Sequence, residues 1–121
     1  MHAFEILGDP VRRRIVELLA DGEQAAGQIG AVIQLEFAIS QPAVSAHLRV
    51  LRENGFASVR AAGARRLYAI DVEPLQHVDQ WLQPYRRFWN QHLDALGVEI
   101  VRGKRARSEP PSTPKAKEIA A

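Results

Sequence analysis

The spacing of the hydrophobic residues predicts three short helices, then two strands and one long helical region. Residues 1–7 are a short mixed segment, which we expect to form a helical turn that packs on a partner. The first full helix is predicted over Pro10–Ala20, because Asp9 can cap its N-terminus and a proline is tolerated in the first turn. Val11 and Ile15 lie four positions apart, on the face that we expect to be buried.

Two further helices are predicted, over residues 26–37 and 41–54. Ser40 can cap the second of them, and Gly55 supplies a stop at its C-terminus. The apolar positions of this second helix fall on one face, at the spacing i, i+4 and i+7: Val44, Leu48 and Leu51. The opposite face is therefore predicted to point outward.

That outward face is the most informative feature of the chain. It carries short, hydrogen-bonding and cationic side chains: Gln41, Pro42, Ser45, Ala46, Arg49 and Arg52. A helix that lies in the major groove of DNA needs such a face, whereas an ordinary surface helix is richer in Glu and Lys. Glutamine suits adenine and arginine suits guanine, so Gln41 and Ser45 are the best candidates for base contacts, with Arg49 next. The alternative is a solvated helix face.

A short basic hairpin is predicted directly after this helix, with strands over residues 57–62 and 65–70. Gly63 can supply the positive φ of the turn. Arg60, Arg65 and Arg66 flank this turn, where cations suit phosphates or a narrow minor groove. With Ser40, which precedes the third helix, these arginines complete the set of predicted DNA contacts.

His47 is expected to serve the fold rather than DNA. At 100° per residue it lies about 60° from Val44, at the edge of the buried stripe. We therefore expect its imidazole to pack and to form a hydrogen bond inside the domain. Arg12, Arg13 and Arg14 are open to either role.

The region from Glu73 to about Leu96 has the strongest periodicity in the sequence. Pro84 interrupts it, which predicts two helices or one bent helix. Its apolar side chains could form a dimer interface, the core of the domain, or both. The predicted interface consists of Phe4, Trp81, Leu82, Tyr85, Phe88, Trp89, Leu93 and Leu96.

The charge of the chain is unevenly distributed. Residues 102–121 contain six Lys or Arg and two acidic residues, a net charge of +4, whereas residues 1–101 contain ten and twelve, a net charge of −2. Residues 1–101 are thus predicted to be one domain, and residues 102–121 a basic tail rich in Pro, Ser and Lys that is disordered. The net charge therefore does not indicate nucleic-acid binding, and only the local placement of the cations can indicate it.

Several classes of protein are disfavoured by composition. The chain has no cysteine, so it has neither disulfides nor thiolate metal ligands. It has no apolar run long enough to cross a membrane and no signal-like N-terminus, so we expect a cytoplasmic location and no membrane partner. No catalytic motif or phosphate-binding loop is present, which argues against an enzyme.

Four blocks in this order resemble the ArsR/SmtB family of bacterial winged helix-turn-helix regulators, and most of all its cysteine-free, SdpR-like branch. The blocks are Leu7–Ile15, Ile39–Leu51, Arg65–Tyr68 and Trp81–Trp89. The resemblance implies a mainly α fold with a small β-hairpin wing and a homodimer through the terminal helices. It also implies a pseudo-palindromic DNA operator, with half-sites about one helical turn apart, and acidic partners for some of the arginines at 12–14.

The chain departs from the family pattern in two places. Gly27–Ser40 is about four residues longer than usual, around Val32–Leu35. This implies either a longer helix over the residues that begin at 26 or a bulged loop before the helix at residues 41–54. Ala46 stands where relatives commonly carry arginine, so one contact with DNA is expected to be missing.

The functional prediction is a DNA-binding transcriptional regulator, more consistent with a repressor than an activator, and two alternatives remain. Metal-sensing relatives have an Asp and a His thirteen residues apart, as Asp79 and His92 are, so the chain could respond to nickel, zinc or cobalt. His77 and His2 are further candidate ligands. Alternatively, the winged helix could bind another protein and have no role with DNA.

Overall fold

The structure, a computed structural model, describes the backbone of residues 2–107 and the side chains of residues 2–91 and of Leu96. Its elements are the helices α1 (Ala3–Gly8), α2 (Pro10–Ala20), α3 (Ala26–Phe37), α4 (Gln41–Glu53) and α5 (Glu73–Arg107) and the strands β1 (Gln24–Ala25), β2 (Ala57–Ala62) and β3 (Arg65–Ile70). They fall into two units that divide between Trp81 and Leu82.

The core of the first unit is formed by one face of each of the helices α1 to α4 together with the sheet. Its fully or almost fully buried side chains are apolar: Ile6, Ile15, Leu19, Ile29, Ile33, Val44, Leu48, Leu51 and Phe56. The predicted apolar face of α4 is thus buried as expected, which turns the opposite face of that helix outward.

The sheet has three antiparallel strands in the order β1-β3-β2. β2 and β3 form the predicted hairpin, with Ala62 paired to Arg65 across a turn in which Gly63 has a φ of 63°. β1 was not predicted; it pairs Gln24 with Tyr68 and is only two residues long, too short to show a hydrophobic period.

Side-chain caps fix where α2 and α4 begin. Asp9 Oδ1 accepts hydrogen bonds from the backbone N–H groups of Val11 (2.8 Å) and Arg12 (3.1 Å). Ser40 Oγ accepts one from Ala43 N–H at 3.3 Å. Both predicted helix starts are confirmed, since these oxygens satisfy N–H groups that have no partner inside the helix.

The extra residues before α4 lie in a helix. Val32–Leu35 falls inside α3, and Ala38, the residue that caps its C-terminus, has a left-handed conformation with a φ of 54°. Only residues 38–40 link α3 to α4. Of the two alternatives from the sequence, the longer helix, α3, is therefore the one observed.

α5 differs from two expectations. It is a single helix with Pro84 in its interior, so the alternative of two helices is wrong. It also includes residues 102–107, which the sequence assigned to a disordered tail. Residues 108–121 lie outside the described residues.

Among the described residues, no single helix has the length and hydropathy of a membrane span. α3 and α4 reach that length and composition only as a pair, and the chain bends by 116° between them.

Candidate nucleic-acid interface

The exposed face of α4 carries the side chains that the sequence proposed as DNA contacts. Gln41, Pro42, Ser45, Ala46 and Arg49 are exposed, and Arg52 is half-buried. Their exposure follows from the burial of the opposite face against α2 and α3. A helix anchored in this way presents a fixed set of polar groups to a ligand.

α4 and β3 together form a surface groove with a volume of about 270 Å³, which we call the α4–β3 groove. Five predicted DNA contacts line it: Gln41, Ser45, Arg49, Arg52 and Arg66. Ala26, Leu48 and Tyr68 complete the lining. The fold thus brings the outward face of α4 and a wing arginine, 14 residues beyond Arg52 in the sequence, to one surface.

Three cations of this groove are available to bind an anion. Among the described residues, Arg49, Arg52 and Arg66 form no hydrogen bond or ion pair through their guanidinium groups. Gln41 likewise makes no side-chain hydrogen bond within the described part of the chain. Guanidinium and amide groups without hydrogen-bonded protein partners can bind phosphates and base edges without first breaking an internal hydrogen bond or ion pair.

The other two wing arginines have protein partners, which the sequence did not reveal. Arg60 donates two hydrogen bonds to Glu23, from Nε to Oε2 and from Nη2 to Oε1, both at 2.8 Å. The hydrogen bond from Arg60 lowers the pKa of Glu23. Arg65 Nη2 lies 3.4 Å from Gln28 Oε1. These partners are 37 positions away in the sequence, so no local pattern could identify them.

His47 serves the fold, as predicted. It is half-buried, and its Nδ1 lies 3.4 Å from Nη1 of Arg12. Arg12 also donates to the carbonyl oxygens of Ile6 and Glu5, each at 3.1 Å, and so connects α1, α2 and α4. This arginine therefore holds the end of α1 and the side of α4 together.

Arg13 and Arg14 are also used by the fold. Arg13 Nη1 donates to the carbonyl oxygen of Leu7 at 2.7 Å. Arg14 donates to both carboxylate oxygens of Glu36, at 2.9 and 3.1 Å, and connects α2 to the end of α3. The implied acidic partner is thus present for Arg14.

Both units expose apolar side chains that were predicted to form a dimer interface. In the first unit, the rings of Phe4 and Trp81 pack edge to face with centroids 5.1 Å apart, and both remain partly exposed. In the second unit, the large exposed side chains are Tyr85, Phe88, Trp89 and Leu96, while Leu82 is half-buried. The Leu93 side chain lies outside the described residues.

The candidate metal ligands are not assembled by the part of the chain that is described. No group of three or more His, Cys, Asp or Glu side chains there could hold a metal ion. His2 Nδ1 instead accepts the backbone N–H of Phe4 at 3.1 Å and caps α1. The side chain of His92, the partner proposed for Asp79 or His77, lies outside the described residues, so the metal site stays a prediction.

Comparisons with known proteins agree with this geometry. Residues 9–59 match the family model for bacterial regulatory proteins of the arsR family. The chain is 38% identical over 91 residues to the HTH-type transcriptional regulator Rv2034 of Mycobacterium tuberculosis, covering 75% of this chain and 78% of the relative. It is 32% identical over 81 residues to the transcriptional repressor SdpR of Bacillus subtilis, covering 67% and 86%.

Solved structures show the same fold. A possible transcriptional regulator for arsenical resistance has a TM-score of 0.59 and 34% identity, over 82% of this chain and 96% of that one. The homodimeric winged helix-turn-helix DNA-binding domain Mb0332 of Mycobacterium bovis has a TM-score of 0.53 and 26% identity, over 70% and 75%. The family and these relatives are regulators rather than enzymes. The chain therefore belongs to the arsR family of bacterial regulatory proteins and is a winged helix-turn-helix transcriptional regulator.

Proposed function

We propose that this regulator binds a pseudo-palindromic DNA operator as a homodimer and represses transcription by covering the promoter. α4 lies in the major groove in this arrangement, and the β2–β3 hairpin contacts the flanking backbone. The observation that carries the proposal is the α4–β3 groove, where Gln41 and Ser45 stand beside Arg49, Arg52 and Arg66. Hydrogen-bonding and cationic groups on one surface match the two kinds of contact that DNA requires.

The groove supports separate roles for its members. Gln41, at the first position of α4, offers an amide acceptor and donor that suit the N6 and N7 groups of adenine. Arg49 suits guanine, while Arg52 and Arg66 carry positive charge to phosphates on either side. Ala46 is exposed and contributes only a methyl group, so it can contact a thymine methyl but donates no hydrogen bond.

Repression and dimerisation are supported by relatives and by the surface of the chain. The relative SdpR is a transcriptional repressor, and the structural neighbour Mb0332 is described as a homodimeric DNA-binding domain. Phe88 is 62% exposed on α5, and apolar residues of this size are typical anchors of protein interfaces. A twofold dimer would also match the symmetry of a pseudo-palindromic site.

The test begins with selection of bound duplexes from a random pool by the full-length chain. Fluorescence anisotropy then compares the selected duplex with a scrambled one at several salt concentrations. We expect two half-sites about one helical turn apart, tighter binding of the selected duplex, and affinity that falls steeply with salt. Equal affinity for both duplexes, abolished by salt, would contradict sequence reading and favour a role in binding another protein.

Two variants separate base reading from backbone binding. We expect Gln41→Ala to reduce the ratio between selected and scrambled duplexes by about tenfold or more, since one base contact is worth about 1–3 kcal/mol. Arg65→Ala with Arg66→Ala should weaken binding to both duplexes alike and flatten the salt dependence. Arg13→Ala, which removes one charge from α2 outside the groove, is the control. An equal effect of Gln41→Ala on both duplexes would remove Gln41 from base reading.

A further inference from the structure

The contact between Gly30 and Gln41 joins the supporting helix α3 to the exposed end of α4. Gly30 is buried in the middle of α3, on the side that packs against α4. A Cβ atom placed on Gly30 would lie 2.8 Å from Oε1 of Gln41 and 3.6 Å from both Cδ and Nε2. The first distance is shorter than real Cβ contacts allow. The side-chain amide of Gln41 therefore occupies the space that any side chain at Gly30 would need.

Backbone conformation does not explain a glycine at this position. Gly30 is not among the residues with positive φ, and it lies within regular helix. Glycine is less favourable than alanine inside a helix because it loses more conformational freedom on folding. What glycine alone provides here is open space beside the amide of Gln41.

We propose that Gly30 is a specificity-determining residue, which positions the amide of Gln41 for base reading by leaving room for it against α3. This inference rests on the proposed function, because it assumes that Gln41 reads a base. A bidentate contact with a base requires both amide atoms to be correctly placed. A side chain at Gly30 moves Oε1 away from α3, and the amide then meets the DNA in a different orientation.

The test compares two Gly→Ala substitutions in the same helix. Gly30→Ala introduces the steric conflict, whereas Gly27→Ala is the matched control because nothing lies within 4 Å of a Cβ placed at Gly27. Both variants replace a helical glycine with alanine, which has the higher helix propensity. The full-length chain is used, and affinities for the selected duplex, its single-base-pair variants and a scrambled duplex are measured by anisotropy. Thermal unfolding is measured in parallel.

We expect Gly30→Ala to lower the ratio between selected and scrambled duplexes by about tenfold, like Gln41→Ala, and to relax discrimination at the same base pair. Its melting temperature should equal or exceed that of the wild type, because only the flexible end of Gln41 has to move. Gly27→Ala should bind as the wild type does. In the absence of DNA, Gly30→Ala should also shift the side-chain amide NMR signals of Gln41, and Gly27→Ala should not.

The double variant Gly30→Ala with Gln41→Ala gives the decisive readout. With the amide gone, the conflict is gone, so the double variant should discriminate no worse than Gln41→Ala alone. The double variant is also informative if Gly30→Ala folds poorly, because removing the amide should then restore stability. The inference would be overturned if Gly30→Ala and the double variant both lost stability. It would also be overturned if Gly30→Ala discriminated between duplexes as well as the wild type does. Absence of discrimination in the wild type would instead overturn the proposed function.

Discussion

At the scale of single residues, the cations of the wing differ in whether they have a protein partner. Arg66 has none among the described residues, whereas both carboxylate oxygens of Glu23 hold Arg60. A phosphate would have to compete with Glu23 for the same guanidinium group. Since exposed ion pairs contribute little to stability, this exchange is energetically accessible. Glu23 therefore limits how much Arg60 adds to DNA affinity.

Glu23→Gln removes the negative charge and one of the two acceptors that hold Arg60, so it should strengthen binding to selected and scrambled duplexes alike. If Arg60 then reaches one more phosphate on each protomer, the slope of log affinity against log salt steepens by about 1 per protomer. Anisotropy titrations over a salt series measure this slope. Glu17→Gln is the control, because it removes the same charge from α2 while Arg14 keeps its two bonds to Glu36. An unchanged slope would show that Arg60 gains no phosphate contact when Glu23 is replaced.

At the scale of elements, α2 depends on the cap at its N-terminus. Partial burial raises the pKa of Asp9, but hydrogen bonds from the backbone N–H groups of Arg12 and Val11 and the positive charge of Arg12 outweigh it. The pKa of Asp9 is therefore lower in the folded chain than its usual value of 3.8. Its stabilising effect is present above that value and is lost as the pH falls through the lowered pKa.

Asp9→Ala should lower the free energy of unfolding by about 1 kcal/mol at neutral pH, as expected for loss of an N-cap. The difference between wild type and variant should shrink below about pH 4, because protonation removes the same interaction. Urea unfolding at several pH values measures both effects. Asp21→Ala, at the C-terminus of α2, is the control and should cost little or stabilise, since a carboxylate is unfavourable there. A pH-independent difference would attribute the effect to packing.

Local patterns predicted elements that have a hydrophobic period and a residue that marks one end, such as a helix cap or a turn glycine. The bounds of α2 and of the hairpin strands follow from such patterns, because Asp9 and Gly63 mark where the chain changes direction. The continuity of α5 could not be predicted, since it depends on the surroundings of a proline. Pro84 is exposed, so water can bind the carbonyl of Gln80 that loses its donor.

The candidate site was predicted only as far as one helix face can show it. The sequence identified Gln41 and Arg49 because both lie outside the buried row of α4. It could not show that Glu23 holds Arg60 or that Gly30 makes room for Gln41, because both contacts join separate elements. Such contacts depend on packing between elements, and they decide which side chains are free to act.

At the scale of the whole molecule, charge alone does not bring this protein to DNA. Residues 1–101 carry a net charge of −2, and the excess of positive charge lies in residues 102–121. Within residues 1–101, attraction to phosphates must then come from local clusters such as Arg49, Arg52 and Arg66. In the proposed homodimer, two copies would double the number of such clusters on one operator, so dimerisation should govern affinity at physiological salt.

Phe88→Ala should therefore weaken the dimer and, with it, operator binding. Phe88 is 62% exposed, and loss of an aromatic anchor from the centre of an interface costs about 2 kcal/mol or more. That corresponds to a dimer dissociation constant raised by about thirtyfold. Sedimentation equilibrium of the full-length chain measures this constant directly. The loss of operator affinity should disappear at high protein concentration, where the variant is again dimeric.

Leu35→Ala is the control for this experiment, because Leu35 is 87% exposed but lies on α3 rather than α5. Loss of its apolar side chain should change neither dimerisation nor operator binding. If Phe88→Ala stays as dimeric as the wild type, Phe88 does not contribute to the interface. If the variant loses operator affinity equally at all protein concentrations, the defect lies in the DNA-binding surface. A loss of operator affinity that is reversed at high protein concentration would show that α5 affects DNA binding through dimerisation.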